Sequence, residues 1–299
     1  MDDHRSDEDD VPAGSANGGS ASLRAVVEPL PVGVRVFDGE DVDSYAARLA
    51  AANCLTVYQI EHVLRPLGLL TSSTSPRHPD RLRVWRRLGG LHRAAFTTPV
   101  EVGQALVMSR PLCLGCTHRV PAVGRHPRAG WVCLRHRRWI GADQHRLTDA
   151  PEVLRAERRF RGHLAPRGVL VDSLVMLLAL KLALLAAPPG PGWHPSRGWE
   201  PDPAVYPSQV AWARTLTDPS FLTAIAHPVS TQARLDAVDQ VTAHLSADPR
   251  WRVRTRLLRL GIGLGQLRPA SDMSGAGTPN HAVGPVALAD VNEVALRLL

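Results

Sequence analysis

Between residues 41 and 91 apolar side chains return at intervals of three and four. Val42, Tyr45, Ala46 and Leu49 do so first, after a short extended lead-in and a turn at Asp38-Gly39, and predict a helix beginning near Asp41. Thr56 and Gln59 have the spacing of a capping box, and Val57, Ile60, Leu64 and Leu67 continue a second helix that Gly68 stops. A third helix is predicted from Asp80, after Pro79, with Leu82, Trp85 and Leu88 on one side and Arg81, Arg83, Arg86 and Arg87 around the rest. Three short helices with tight connections predict a small bundle of helix-turn-helix type. Cys54, with no Cys or His beside it in sequence, is expected as a small buried apolar residue.

Further on, "DAPEVLRAERRFRGHLA" (149–165) reads as a basic amphipathic helix. The run Gly168 to Ala187 has the length of a bilayer span, but Asp172 and Lys181 inside it each cost about 2.5–3.5 kcal/mol near a membrane centre, so a buried core helix is expected. Ser208, Asp218 and Asp248 are expected N-caps, the last two followed by Pro, and "GIGLGQ" (261–266) a helix-ending loop. The chain divides into an acidic disordered tail (1–24), an N-terminal helical region (25–108), a module with following helices (109–187), a Pro/Gly-rich linker (188–207) and a C-terminal helical region (208–299). In the last, 268–285 is expected to be flexible and a final helix to run from Ala287 to Leu298.

Composition agrees with a mainly α fold. Aromatic residues make up 5 % of the 299 positions, and Ala, Leu, Val and Arg dominate. The net charge of +7 is almost all arginine, Lys181 being the one lysine. From Arg77 to Arg167 there are 19 Arg against 6 Asp and Glu, a field that suits a polyanion; an Arg-rich solvated surface is the plainer explanation. Three clustered cysteines out of four make no disulfide framework, and the acidic N-terminus is no signal peptide, so a reducing cytoplasm is expected and no membrane association.

The chemistry is concentrated in "LCLGCTHRVPAVGRHPRAGWVCLRHRRW" (112–139). Its spacing is Cys113-x2-Cys116, sixteen residues, then Cys133-x2-His136. Two short knuckles supplying four N and S ligands suit one structural, tetrahedral Zn²⁺ and exclude Mg²⁺ or Ca²⁺ as natural occupants. His118 and His126 are alternative fourth ligands. A thioredoxin-like redox pair would leave Cys133 and His136 unexplained. Between Val120 and Gly130, Pro, Gly and Arg cannot bury enough surface to hold a fold, so zinc, at about 10–16 kcal/mol in small modules, is expected to hold it and chelation to unfold it. No His-Glu-x-x-His, Gly-x-Ser-x-Gly or Walker A sequence is present, and Glu40, Asp41 and Asp43 are explained as helix-start carboxylates, so no enzyme is expected.

Together, "LPV…DGEDVDSYAARLAAAN" (30–53), "VWRRLGGL" (84–91) and "WVCLRHRRWI" (131–140) resemble the TniQ family, accessory and target-selection factors of Tn7-like and related transposition systems. The resemblance covers about residues 30–140. It implies a zinc-binding adaptor in DNA recombination that touches target DNA, or a DNA-bound or RNA-guided targeting complex, and an AAA+ transposition regulator. Cys113, Cys116, Cys133 and His136 match the family's zinc positions. Leu114 and Leu134 stand where members often have Pro, and a second knuckle found in some has no counterpart.

On this reading Arg81, Arg83, Arg86, Arg87, Arg135, Arg137 and Arg138 contact phosphates, which position a protein without specifying sequence. The competing readings are a stand-alone DNA-binding transcriptional regulator and a protein-interaction module whose arginines meet an acidic partner. A homodimer is compatible with each.

Overall fold

The computed structural model describes residues 27–70, 78–96, 108–187, 200–245, 247–267 and 286–298. The acidic tail before residue 27 and the segment 268–285 lie outside them. Among the described residues the fold is mainly helical, with four two-residue strands.

Helices α1 (Val42–Ala52), α2 (Val57–Leu64) and α3 (Pro79–Leu88) enclose one core. Val42, Tyr45, Ala46 and Leu49 are all buried, as their spacing requires. The Thr56/Gln59 capping box forms in both directions, closing the start of α2. Two expectations change. Only α1 and α2 are joined tightly; residues 65–78 separate α2 from α3, far more than the turn of about three or four residues in a helix-turn-helix. Cys54 is exposed, at φ +58°, because it turns the chain between α1 and α2 rather than filling the core.

On α3 the buried face is Arg81, Val84, Trp85 and Leu88, while Leu82 is half-buried. Arg81 can face inward because Glu61 and Asp43 neutralise it: Arg81 Nε donates to Glu61 Oε1 at 2.7 Å, Nη1 pairs with Asp43, and Trp85 Nε1 donates to the same Glu61 oxygen at 3.0 Å. Glu40, Asp41 and Asp43 are therefore more than helix-start carboxylates, each answering a different arginine. Glu40 accepts both Arg48 Nε (2.9 Å) and Nη2 (2.6 Å), and Asp41 pairs with Arg125 at 3.3 Å. Asp41 makes no side-chain cap to α1.

The lead-in is joined to the middle of the chain by backbone. Strands β1 (Arg110–Pro111) and β2 (Val123–Gly124) pair antiparallel, and Glu40 bridges to Gly124 on the other side. Arg125 N donates to Gly39 O at 2.7 Å and Asp41 N to Val123 O at 3.0 Å. A Cβ on Gly124 would lie 2.1 Å from Gly39 O, so this approach requires glycine.

The second core runs from Trp131 to the last helix without a break. After the hairpin β3 (Val132–Cys133) and β4 (Arg138–Trp139) come α4 (Pro151–Arg159), a π turn (Phe160–Leu164) and a 3₁₀ turn (Ala165–Arg167). Then follow α5 (Leu174–Ala186), α6 (Tyr206–Thr215), α7 (Pro219–Ala226), α8 (Thr231–Thr242), α9 (Ala247–Gln266) and α10 (Leu288–Leu298). The apolar run from Gly168 is helical only from Leu174, where Ser173 caps it, and it is buried among α6, α9 and α10. Among the described residues no helix is long and apolar enough to cross a membrane. α5 and α6 share this core, so the 188–207 stretch joins two helices of one core instead of separating two; its residues 188–199 lie outside the described ones.

Asp218 caps α7 through Ser220 N and Phe221 N, as its Asp-Pro sequence requires. Ser208 does not cap α6, which already starts at Tyr206 with Pro207 in its first turn, and α9 begins at Ala247, one residue before Asp248. "GIGLGQ" is no loop: it forms the last turns of α9. A Cβ on Gly261 would meet Ile225 O at 2.6 Å and one on Gly263 would meet Val294 at 2.6 Å, so these glycines let α7 and α10 approach closely.

Candidate metal centre

In the β3–β4 hairpin, Val132 pairs with Trp139 and Cys133 with Arg138. Strand alternation turns Val132 and Trp139 into the second core and leaves Cys133 on the opposite face. Trp139 stacks on Trp131 at 6.1 Å, meets Tyr206 edge-on at 5.7 Å and donates Nε1 to Glu200 at 3.1 Å. The turn closing the hairpin carries His136, followed by Arg137 at φ +47°.

The other knuckle folds tightly on itself. Cys116 N and Thr117 N both donate to Cys113 O, at 2.8 and 3.0 Å, and His118 and Arg119 are left-handed. Gln144 holds it from beyond the hairpin, accepting from Leu114 N at 2.9 Å and donating to Leu112 O at 2.7 Å.

These two knuckles bring Cys113, Cys116, Cys133 and His136 together, their ligand atoms all within 4.8 Å of one another. His136 Nδ1 lies 3.7, 3.4 and 3.5 Å from the sulfurs of Cys113, Cys116 and Cys133, and the sulfurs of Cys116 and Cys133 are 3.7 Å apart. The four can hold a metal ion. His118 and His126 are not in the group; His118 is exposed and the His126 ring packs over Gly39. Partial burial, then the Cys133 thiol beside it, pushes the Cys116 thiol up to about 12. Burial raises Cys113 as well, opposed in part by the backbone N–H of Cys116. Thiols so placed ionise readily only when a cation neutralises them, which is what a metal ion does. A Cβ on Gly115 would lie 2.6 Å from the His136 ring, so glycine is what allows the imidazole to reach the first knuckle.

The segment between the knuckles is held by protein groups that the sequence did not disclose. Arg110, fully buried, donates to the carbonyls of Gly130 (2.6 Å), His126 (2.7 Å) and Ala129 (2.5 Å) and lies 5.1 Å over the Trp131 ring. Burial lowers its pKa. Glu157, buried on α4, accepts from Gly130 N at 2.9 Å, Val132 N at 3.3 Å and Arg161 Nε at 2.5 Å. Residues 126–130, expected to be held by a metal, thus have anchors of their own in these two side chains.

The candidate phosphate-contacting arginines separate. Arg81 is enclosed by its two acids and cannot reach a ligand; Arg86 Nε donates to Ala95 O at 2.6 Å; Arg83 is exposed but paired with Asp80. Arg138 donates to Gln144 O at 2.9 Å. Arg87, Arg135 and Arg137 are exposed. Arg81, buried between its acids, is therefore not on a surface with the other six. The chain matches no protein-family model, no curated protein and no solved structure.

Proposed function

We propose that the protein is a zinc-stabilised, non-enzymatic adaptor of TniQ type, linking target nucleic acid, or a nucleic-acid-bound targeting complex, to an AAA+ transposition regulator. The dimensions of the four-residue cage carry the zinc part. Zn–S bonds of about 2.3 Å and a Zn–N bond of about 2.0–2.1 Å at tetrahedral angles give S···S edges of about 3.8 Å and S···N edges of about 3.5 Å. The three S···N edges here are 3.4–3.7 Å and the Cys116–Cys133 edge is 3.7 Å, with all four ligand atoms within 4.8 Å of one another. Three thiolates and an imidazole favour zinc over hard cations. With four protein ligands no coordination position is left for substrate, which supports a structural ion in an adaptor. Metal analysis tests this: one zinc per chain is expected in the wild type and a marked loss in Cys133→Ser. Equal zinc in both would refute the ligand set.

The local excess of arginine supports the nucleic-acid part, and duplex binding that weakens steeply with added salt is expected. The protein-interaction reading has its own support on α2 and its flanks, where Tyr58 and Val63 on the helix, Leu55 before it and Leu67 after it are exposed. Absence of duplex binding by the intact protein would favour it.

A further inference from the structure

Arginine is concentrated a second time on α4 and the turns after it. The inner face there, Val153, Ala156, Glu157, Phe160 and Leu164, is buried. On the other side Arg155, Arg158, Arg159, His163 and Arg167 are exposed. Among the described residues none of these four arginines has a carboxylate or hydrogen-bond partner. Arg155, Arg159 and His163 follow one another at steps of four with Arg158 alongside, forming a strip about 12 Å long. Glu152, also exposed, stands at its start. The strip crosses the π turn, a feature that recurs at functional sites, and at Gly162 a side chain would meet nothing within 4 Å.

α3 offers much less. Its Arg81 is locked between two acids, Arg83 is paired and Arg86 is spent on a carbonyl, which leaves Arg87. Like charges at one-turn spacing destabilise a helix slightly; the helix dipole offsets part of this for Arg158 and Arg159 in the last turn of α4, and an anion lying against the strip would offset the rest.

We propose that the outer face of α4, through Arg155, Arg158 and Arg159, contacts the phosphodiester backbone of duplex nucleic acid. This rests on the nucleic-acid reading above and moves its contact surface away from α3. The strip carries no Phe, Tyr or Trp, and His163 is its one ring on which an unpaired base could stack, which favours duplex over single strand. Guanidinium contacts to phosphate position a protein without reading sequence, so the affinity should be indifferent to base sequence and sensitive to salt.

The test uses the full chain and a random-sequence DNA duplex, with binding followed by fluorescence anisotropy at several salt concentrations. Arg155→Gln/Arg158→Gln/Arg159→Gln is expected to bind at least tenfold more weakly at low salt. Its slope of log affinity against log salt should be shallower by about 2–3, at about 0.9 for each phosphate no longer neutralised. Arg83→Gln/Arg87→Gln on α3 should stay within twofold of wild type. Gln keeps helix propensity, and the triple Arg→Lys variant, which keeps the charge, should retain the wild-type slope; loss in that variant as well would mark misfolding as the cause and overturn the assignment. Wild-type duplex binding that the Gln triple leaves intact overturns this inference alone. If wild type binds polyglutamate through these residues and no duplex, both the inference and the nucleic-acid reading fail in favour of an acidic protein partner.

Discussion

The Tyr206 hydroxyl donates a 2.8 Å hydrogen bond to Glu157 Oε2, joining α6 to α4 where neither side chain reaches water. Glu157 also accepts from Gly130 N, Val132 N and Arg161, so one carboxylate ties the helical core to the strand that presents Cys133. Burial, and then the Glu157 charge, hold the phenol well above its ordinary pKa, and Tyr206 therefore remains a donor throughout the physiological range. A Cβ on Gly130 would strike the Tyr206 oxygen, so glycine keeps the backbone close enough for this arrangement.

Removing one member should be costly. Tyr206→Phe deletes a hydrogen bond to a buried charge and is expected to destabilise by about 1.5–3 kcal/mol. Glu157→Ala leaves the Tyr206 hydroxyl and two backbone donors without their acceptor and removes the carboxylate beside Arg161, and should cost about 3–5 kcal/mol. Urea unfolding of the two variants gives both numbers. A Tyr206→Phe midpoint equal to wild type would mean that the bond contributes nothing.

Chelation is expected to loosen the knuckles and leave the helical core standing. A metal bound by Cys113, Cys116, Cys133 and His136 would tie the two knuckles together, whereas 126–132 are held by Arg110 and Glu157, and the second core needs none of these ligands. Treatment with a chelator should abolish hydrogen-exchange protection around residues 113–118 and 133–137 while the far-ultraviolet circular dichroism stays nearly unchanged. Collapse of the helical signal would show that metal organises the whole chain.

Helix phases and the ligand set were readable in the sequence because both are local: apolar spacing for α1, a capping box for α2, Asp-Pro for α7 and two Cys/His knuckles for the metal group. The buried polar residues were not. Arg81 looked like one more arginine on a basic helix, since its partners Asp43 and Glu61 are 38 and 20 residues away. Gln144, thirty residues from Leu114, carried no signal at all. Gly115 has no such excuse, because a small residue inside a Cys-x2-Cys knuckle can be asked what it makes room for.

The glycines of α9 allow a sharp comparison. In an open helical site Gly→Ala gains up to about 1 kcal/mol of helix propensity. At Gly261 the new methyl would press on the Ile225 carbonyl, a backbone atom that cannot swing away, and overpacking costs about 1–3 kcal/mol. Gly261→Ala is therefore expected to lower the melting temperature, and Gly162→Ala, with no neighbour within 4 Å, to leave it unchanged or raise it. Equal shifts in the two variants would remove close helix approach as the reason for "GIGLGQ".

His126 should give the fold a mild dependence on pH. Burial lowers its pKa, with Arg110 acting in the same direction and Asp38 against it. The folded chain thus binds this proton less readily than the unfolded one, whose imidazole titrates at about 6.5. Stability linked to His126 is fully present above that value and is lost as pH falls through it toward the lower folded pKa. His126→Gln removes the titration, so the wild-type urea midpoint should fall relative to that of the variant between about pH 7 and pH 5, and the difference should be constant above about pH 7.5. Parallel curves across the whole range would show that the ring can take up its proton in place, with the contact over Gly39 opening to admit water.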